Sequence, residues 1–251
     1  MSGENATSWV KQQQQFYSTR PHMHLQYAPN SVYAAHLVEH LLETAQLSAA
    51  SRVLEVGCGA GRFTIPLLQR FGGSLVAFDL SDTLLEQLQK HLSALPNSIS
   101  GKCRLLAGNV THLEPALEQE QFDTVVGFFF LHHMEDLPNV LRQLRRVLRP
   151  NGQMLFIEPN RRNPLFLLQV LCCPDMSWAE EKGMFTLGRA RICDSFLAAG
   201  MSRPTINTFG CFPPRILDRW RWAFRIEKRI ERIKICQPVL PFRLIQSRRV
   251  D

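Results

Sequence analysis

Short apolar runs alternate along most of this chain with segments whose apolar positions recur at helical spacing. Arg52 to Val56, Ser74 to Asp79, Cys103 to Ala107, Asp123 to Phe129 and Gln153 to Glu158 read as strands. Arg62 to Phe71, Asp82 to Leu95 and Leu137 to Leu148 read as the helices between them. Strands alternating with helical patterns make βαβ units, so the pattern predicts an α/β fold, a Rossmann-like doubly wound sheet that is largely parallel. Ahead of it, Pro29-Asn30-Ser31 offers cap residues for an amphipathic helix to about Leu47, with Val32, Ala35, Val38, Leu41 and Leu42 on one face. A helix at Arg189 to Gly200 and strands at Thr205 to Phe209 and Phe242 to Ser247 follow, bringing the strand-like runs to seven.

In an open α/β sheet, ligands bind outside the carboxyl ends of the strands, and the informative residues gather there. The first run leads into Gly57-Cys58-Gly59-Ala60-Gly61, a turn whose glycines admit a sharp bend and let a ligand lie against the backbone. The second run ends in Asp79, 22 residues after Gly57, where a carboxylate can accept hydrogen bonds from both hydroxyls of a ribose. The loop reads G-x-G-x-G, and the dinucleotide fingerprint would need a glycine where Arg62 stands. That weakens a pyrophosphate grip and favours a nucleoside ligand without phosphates.

With these residues the chain resembles the class I S-adenosylmethionine (SAM) methyltransferases, in particular the small-molecule branch that includes ubiquinone and menaquinone methyltransferases. The resemblance runs from about Arg52 to Gly200. It is carried by L-E-V-G-C-G-A-G, F-D-L-S at Phe78 to Ser81, G-N-V at Gly108 to Val110, F-D-T-V-V-G-F-F-F-L-H-H-M at Phe122 to Met134, and L-R-P-N-G at Leu148 to Gly152. It implies a seven-stranded sheet with SAM as cofactor: Gly57, Gly59 and Gly61 under the methionine end, Asp79 on the ribose, and Leu80, Asn109 and Val110 around the adenine. Glu55, Cys58 and Phe128 complete the implied cofactor-binding set. The family usually has an acidic residue where Asn109 stands, and an asparagine can still accept there through its carbonyl oxygen. Related natural-product methyltransferases draw a base from the L-H-H-M stretch and an acid from the next strand, which nominates His132, His133 and Glu158.

Composition narrows the setting. The chain has 251 residues, 45% of them hydrophobic, enough for one α/β domain with an appendage. The boundaries expected are an N-terminal arm and helix (1–50), the cofactor-binding core (51–159), a helical lid over the substrate (160–188) and a segment completing the sheet (189–251). The longest apolar stretches fall well short of the roughly 20 residues that span a bilayer, so a soluble or peripheral, cytoplasmic protein is expected. Seven cysteines without paired spacing read as reduced thiols, and no metal ligand set is expected.

Much of the net charge of +7 falls in 215–234, with eight basic residues against three acidic ones. That segment reads as an amphipathic helix inserted before the last strand. Ile216, Trp220, Ala223, Phe224, Ile230 and Ile233 would lie on one side and Arg219, Arg225, Arg229 and Arg232 on much of the other. Its apolar stripe either packs on the domain or makes a peripheral membrane contact. His36 and His40 match the H-x-x-E-H pattern of inverted zinc peptidases, but no third ligand accompanies them in sequence, and they read as exposed helix histidines. His22 and His24 lie on the arm and read as solvated.

The apolar Phe128-Phe129-Phe130 favours an apolar or lipid-linked small-molecule acceptor. The absence of an N/D-P-P-Y/F tetrapeptide argues against nucleic acid. An RNA methyltransferase, an NAD-dependent oxidoreductase and a catalytically silent SAM-binding protein are the competing readings.

Overall fold

In the computed structural model of the chain, the described residues are 31–113, 117, 120–164, 183–210, 212, 219–220 and 222–250. The arm with His22 and His24, most of the expected lid, and 213–218 lie outside them.

Ser31 opens the first helix as an N-cap: its hydroxyl accepts from the Ala34 amide at 3.2 Å, satisfying one of the free N–H groups of α1 (Val32–Ala45). Then come β1 (Arg52–Val56), α2 (Thr64–Arg70), β2 (Ser74–Asp79), α3 (Asp82–Ser93), the one-turn α4 (Asn97–Ser100), β3 (Cys103–Ala107), β4 (Phe122–Phe128), α5 (Leu137–Arg146), β5 (Leu148–Pro159), α6 (Arg189–Ala198), β6 (Thr205–Phe209), α7 (Ala223–Ile230) and β7 (Phe242–Arg248). The seven strands form one sheet in the order β3-β2-β1-β4-β5-β7-β6. β1 to β5 run parallel, and β7 lies antiparallel between β5 and β6.

Helices cover both faces, as a doubly wound sheet requires. One layer of the core joins Leu37, Val38 and Leu41 of α1 with Leu67 of α2 and Leu88 of α3. The other joins Val140, Leu141 and Leu144 of α5 with Ile192 and Phe196 of α6. Each such fully buried aliphatic side chain contributes about 1.5–3 kcal/mol relative to exposure.

Two elements differ from expectation. β5 begins at Leu148, five residues early, because Leu148 pairs with Phe122 before a register shift lets Gln153 pair with Thr124. The basic segment is not one continuous helix: Trp220 lies outside helix, Ala223–Ile230 is regular α-helix, and the chain turns at Glu231. Its apolar stripe is divided, with Ala223 and Phe224 packed on the core. Ala223 and Glu227 are the buried positions, while Trp220, Trp222, Ile226 and Ile233 are exposed, at 48%, 54%, 38% and 48%.

Candidate active site

The glycine turn sits between the carboxyl ends of β1 and β2, and the amides of Gly57 and Cys58 donate to Phe78 O at 2.8 and 3.3 Å. Gly61 has φ +92°, and a Cβ there would fall 2.4 Å from Leu88 Cδ1, so the missing side chain lets α3 close under the loop. Gly59 has φ +52°, and a Cβ there would meet nothing nearer than 3.9 Å, leaving open space above the turn. Asp79 ties loop to strand: Oδ2 accepts from Gly59 N at 2.7 Å and Oδ1 from Ser81 N at 2.9 Å. A carboxylate has about four lone-pair sites, so capacity remains for a diol. Burial raises the Asp79 carboxyl, opposed by the N–H groups aimed at it.

Glu55, on β1 beneath the turn, is buried, and its Oε2 has no hydrogen-bond partner. Burial pushes its carboxyl up to about 8, opposed by the neighbouring Thr64 hydroxyl and aided by the nearby Asp79 charge. Cys58 is likewise buried, and burial holds its thiol well above the usual range.

At the ends of β4 and β5, Glu158 is fully buried and grips three successive residues. Oε1 accepts from Phe130 N at 2.8 Å and Leu131 N at 2.6 Å, and Oε2 lies 2.7 Å from His132 Nδ1. Phe129, just before this turn, has φ +54°, a left-handed conformation uncommon for a bulky residue. Such a departure is held in place by its surroundings, here the Glu158 bonds and that from Phe129 N to Ile157 O at 2.8 Å. His133 is partly exposed, its ring centroid 3.9 Å from that of His132.

An aromatic wall runs beside this turn. Phe63 stacks on Phe128 with centroids 4.4 Å apart and meets Phe129 at 5.7 Å, and Phe129 meets Phe242 at 5.8 Å. The Arg62 guanidinium lies 5.4 Å from the ring centres of both Tyr33 and Phe63.

Residues 54–156 match the family model of the methyltransferase domain. The demethylmenaquinone methyltransferase of Bacillus cereus is 27% identical over 178 residues, 63% of this chain and 73% of that protein. The chain is a SAM-dependent methyltransferase, with 54–156 as its methyltransferase domain. The [4+2]-cyclase SpnF shares the fold across 96% of both chains, with a TM-score of 0.62 and 14% identity. The overlap with the glycopeptide N-methyltransferase MtfA is partial, 49% of this chain and 56% of that one, at 24% identity and a TM-score of 0.45.

SAM is the cofactor of this methyltransferase, and the residues present fit it. The turn offers open space at Gly59, Asp79 has acceptor capacity for a diol, and Glu55 holds a buried, unpartnered oxygen. The cofactor carries a sulfonium and an ammonium against one carboxylate, and a net positive charge near Glu55 and Asp79 would favour the ionised form of both.

The structure brings together Glu55, Gly57, Cys58, Gly59, Gly61 and Asp79 at one turn, and His132 with Glu158 at the next. Leu80 is half-buried beside Asp79, Val110 is buried after β3, and Phe128 belongs to the aromatic wall. Asn109 Oδ1 accepts from Thr111 N at 2.9 Å and Thr111 Oγ1 at 2.8 Å, which ties it to its own loop.

His36 and His40 also correct the sequence reading. They are buried and half-buried rather than exposed, because α7 and the turn after it cover this face of α1 with Glu227 and Glu231. Sequence reasoning missed these acids, and it missed Tyr33 and Phe63 in the aromatic wall. Glu227 and Glu231 are one helical turn apart, matching the spacing of the histidines, which was the only signal in the sequence that could have suggested their pairing.

Proposed function

We propose that this methyltransferase acts on an apolar, lipid-linked small molecule that carries a hydroxyl or acidic carbon, and that it meets this acceptor at an anionic membrane surface. The observation that carries the acceptor class is the buried His132–Glu158 pair set beside the wall of Phe63, Phe128, Phe129 and Phe242. Apolar pockets with a few fixed polar groups bind such molecules. The acceptor named in the Bacillus cereus relative, a demethylmenaquinone, is of this class.

When bound, SAM supplies an electrophilic methyl group on a sulfonium. Gly57, Gly59, Gly61 and Asp79 would hold the cofactor, with Val110 and Leu80 available to its base. Glu158 accepts from His132 Nδ1–H, which leaves Nε2 as the lone-pair nitrogen of the ring. That nitrogen would take the proton that an acceptor hydroxyl or acidic carbon loses when it displaces the methyl group from sulfur. The phenylalanines exclude water and orient the acceptor, which supplies the proximity a displacement needs.

The membrane contact rests on α7 and its flanks. Trp220 and Trp222 are exposed and stacked at 6.2 Å, Ile226 and Ile233 are exposed, and Arg219, Arg225, Arg229 and Arg232 of the same segment are exposed as well. Amphipathic aromatic rings with basic neighbours suit the headgroup region. No helix among the described residues is long and apolar enough to cross a bilayer.

The protein should co-sediment with vesicles containing anionic lipid at low salt and be released as salt rises, since each basic side chain near the surface contributes about 1 kcal/mol. An Arg225→Glu, Arg229→Glu, Arg232→Glu variant should stay in the supernatant. If this variant binds as well as the parent, or the parent does not bind, the membrane part of the reading fails.

A further inference from the structure

We propose that His36, His40 and Glu231, with Glu227 beside them, form a site for a divalent transition-metal ion of the zinc class, which clasps α1 to α7 and the turn that follows it. The two histidines are one turn apart on α1, and their rings meet edge to face with centroids at 4.7 Å. Glu227 and Glu231 are one turn apart on the opposing segment, so two imidazoles face two carboxylates.

One donor atom from each of His36, His40 and Glu231 lies within 4.8 Å of the others. Tetrahedral zinc with nitrogen and oxygen ligands at about 2.0–2.2 Å sets its donors roughly 3.3–3.5 Å apart. A contraction of about 1 Å, within reach of side-chain rotation, would close the triad on a metal. Imidazole and carboxylate together suit zinc, cobalt and nickel, and none of these four ligands is a thiolate.

An ordinary ion-paired cluster accounts for half of these contacts. His36 Nε2 sits 2.6 Å from Glu227 Oε1, a hydrogen bond that needs a proton on the ring nitrogen. His40 Nε2 and Glu231 Oε1 face each other at 3.8 Å, too far for a hydrogen bond. A cation between them would join this second pair and replace the proton shared by the first.

Both carboxylates are held from behind, as the carboxylates of metal sites commonly are. Gly210 N donates to Glu231 Oε1 at 2.8 Å, and Phe212 N donates to Glu227 Oε2 at 3.0 Å. Phe224 and Phe209 flank the imidazoles at 4.7 and 4.4 Å and limit access of water. His40 and Glu231 remain partly exposed, which gives an ion a way in. Lys228 lies near enough to oppose a cation, which is one reason for both carboxylates to be present.

The test uses the full chain, stripped with a chelator and dialysed against Zn²⁺. One ion per chain should remain bound and raise the melting temperature by several degrees at saturation. Co²⁺ should give the intense visible bands of a four-coordinate ion, and X-ray absorption of the zinc form should show only nitrogen and oxygen neighbours. Glu231→Gln and the double variant His40→Gln, Glu231→Gln should weaken binding by at least tenfold while leaving S-adenosylhomocysteine affinity unchanged. The proposal is overturned if the stripped parent takes up neither metal, if either variant binds like the parent, or if sulfur appears among the zinc ligands. If the variants do not fold, the stoichiometry and spectra of the parent decide.

Discussion

Replacing Asp79 with alanine should weaken S-adenosylhomocysteine binding by more than about tenfold in calorimetric titration. Two causes add. The carboxylate assigned to the ribose hydroxyls would supply two charge-assisted hydrogen bonds, each worth roughly 1.5–3 kcal/mol. The same group also holds Gly59 N at 2.7 Å and Ser81 N at 2.9 Å, so alanine releases the glycine turn from β2 as well. Asp79→Asn separates them: its amide oxygen can keep one backbone bond but lacks the charge, and it should fall between parent and alanine variant. An unchanged affinity in a folded Asp79→Ala protein would remove the ribose assignment.

His132→Ala should lower turnover by roughly 10²–10⁴ while S-adenosylhomocysteine affinity stays within a few-fold of the parent, the pattern of a lost proton acceptor. Glu158→Gln should also be slow, but for a mixed reason. Its carboxylate both orients His132 and holds the amides of Phe130 and Leu131, so this change should also lower the melting temperature. His133→Ala should do much less, because it leaves the His132–Glu158 pair in place. The pH profile identifies the role: the acid limb of kcat in the parent, set by protonation of the base, should vanish in His132→Ala. Full activity in that variant would leave proximity as the whole of catalysis.

What was legible in the sequence was local. The glycine turn, Asp79 and the strand runs are written in consecutive residues, and β3 and β6 lie where the pattern put them because each is a short apolar run with clear breaks. Even the His132–Glu158 pairing could be anticipated, since both residues follow adjacent parallel strands. The long-range choices could not. Hydrophobic periodicity grouped Trp220, Ala223 and Phe224 on one side, but a buried acid 191 residues from its histidine shares the inward face of α7: Glu227 meets His36, while Trp220 is exposed. Nor did periodicity show that Asn109 Oδ1 meets Thr111 of its own loop.

The account is tested most directly by methyl transfer itself. Purified protein would be incubated with methyl-tritiated SAM and three acceptors in parallel: a demethylmenaquinone-type quinol in anionic vesicles, total RNA, and a mixed peptide library. Label should pass to the quinol fraction, with one S-adenosylhomocysteine formed per methyl transferred, and should fall by at least 10²-fold with His132→Ala. Label in RNA or peptide with none in the quinol, or no turnover with any of the three while SAM still binds, would contradict it.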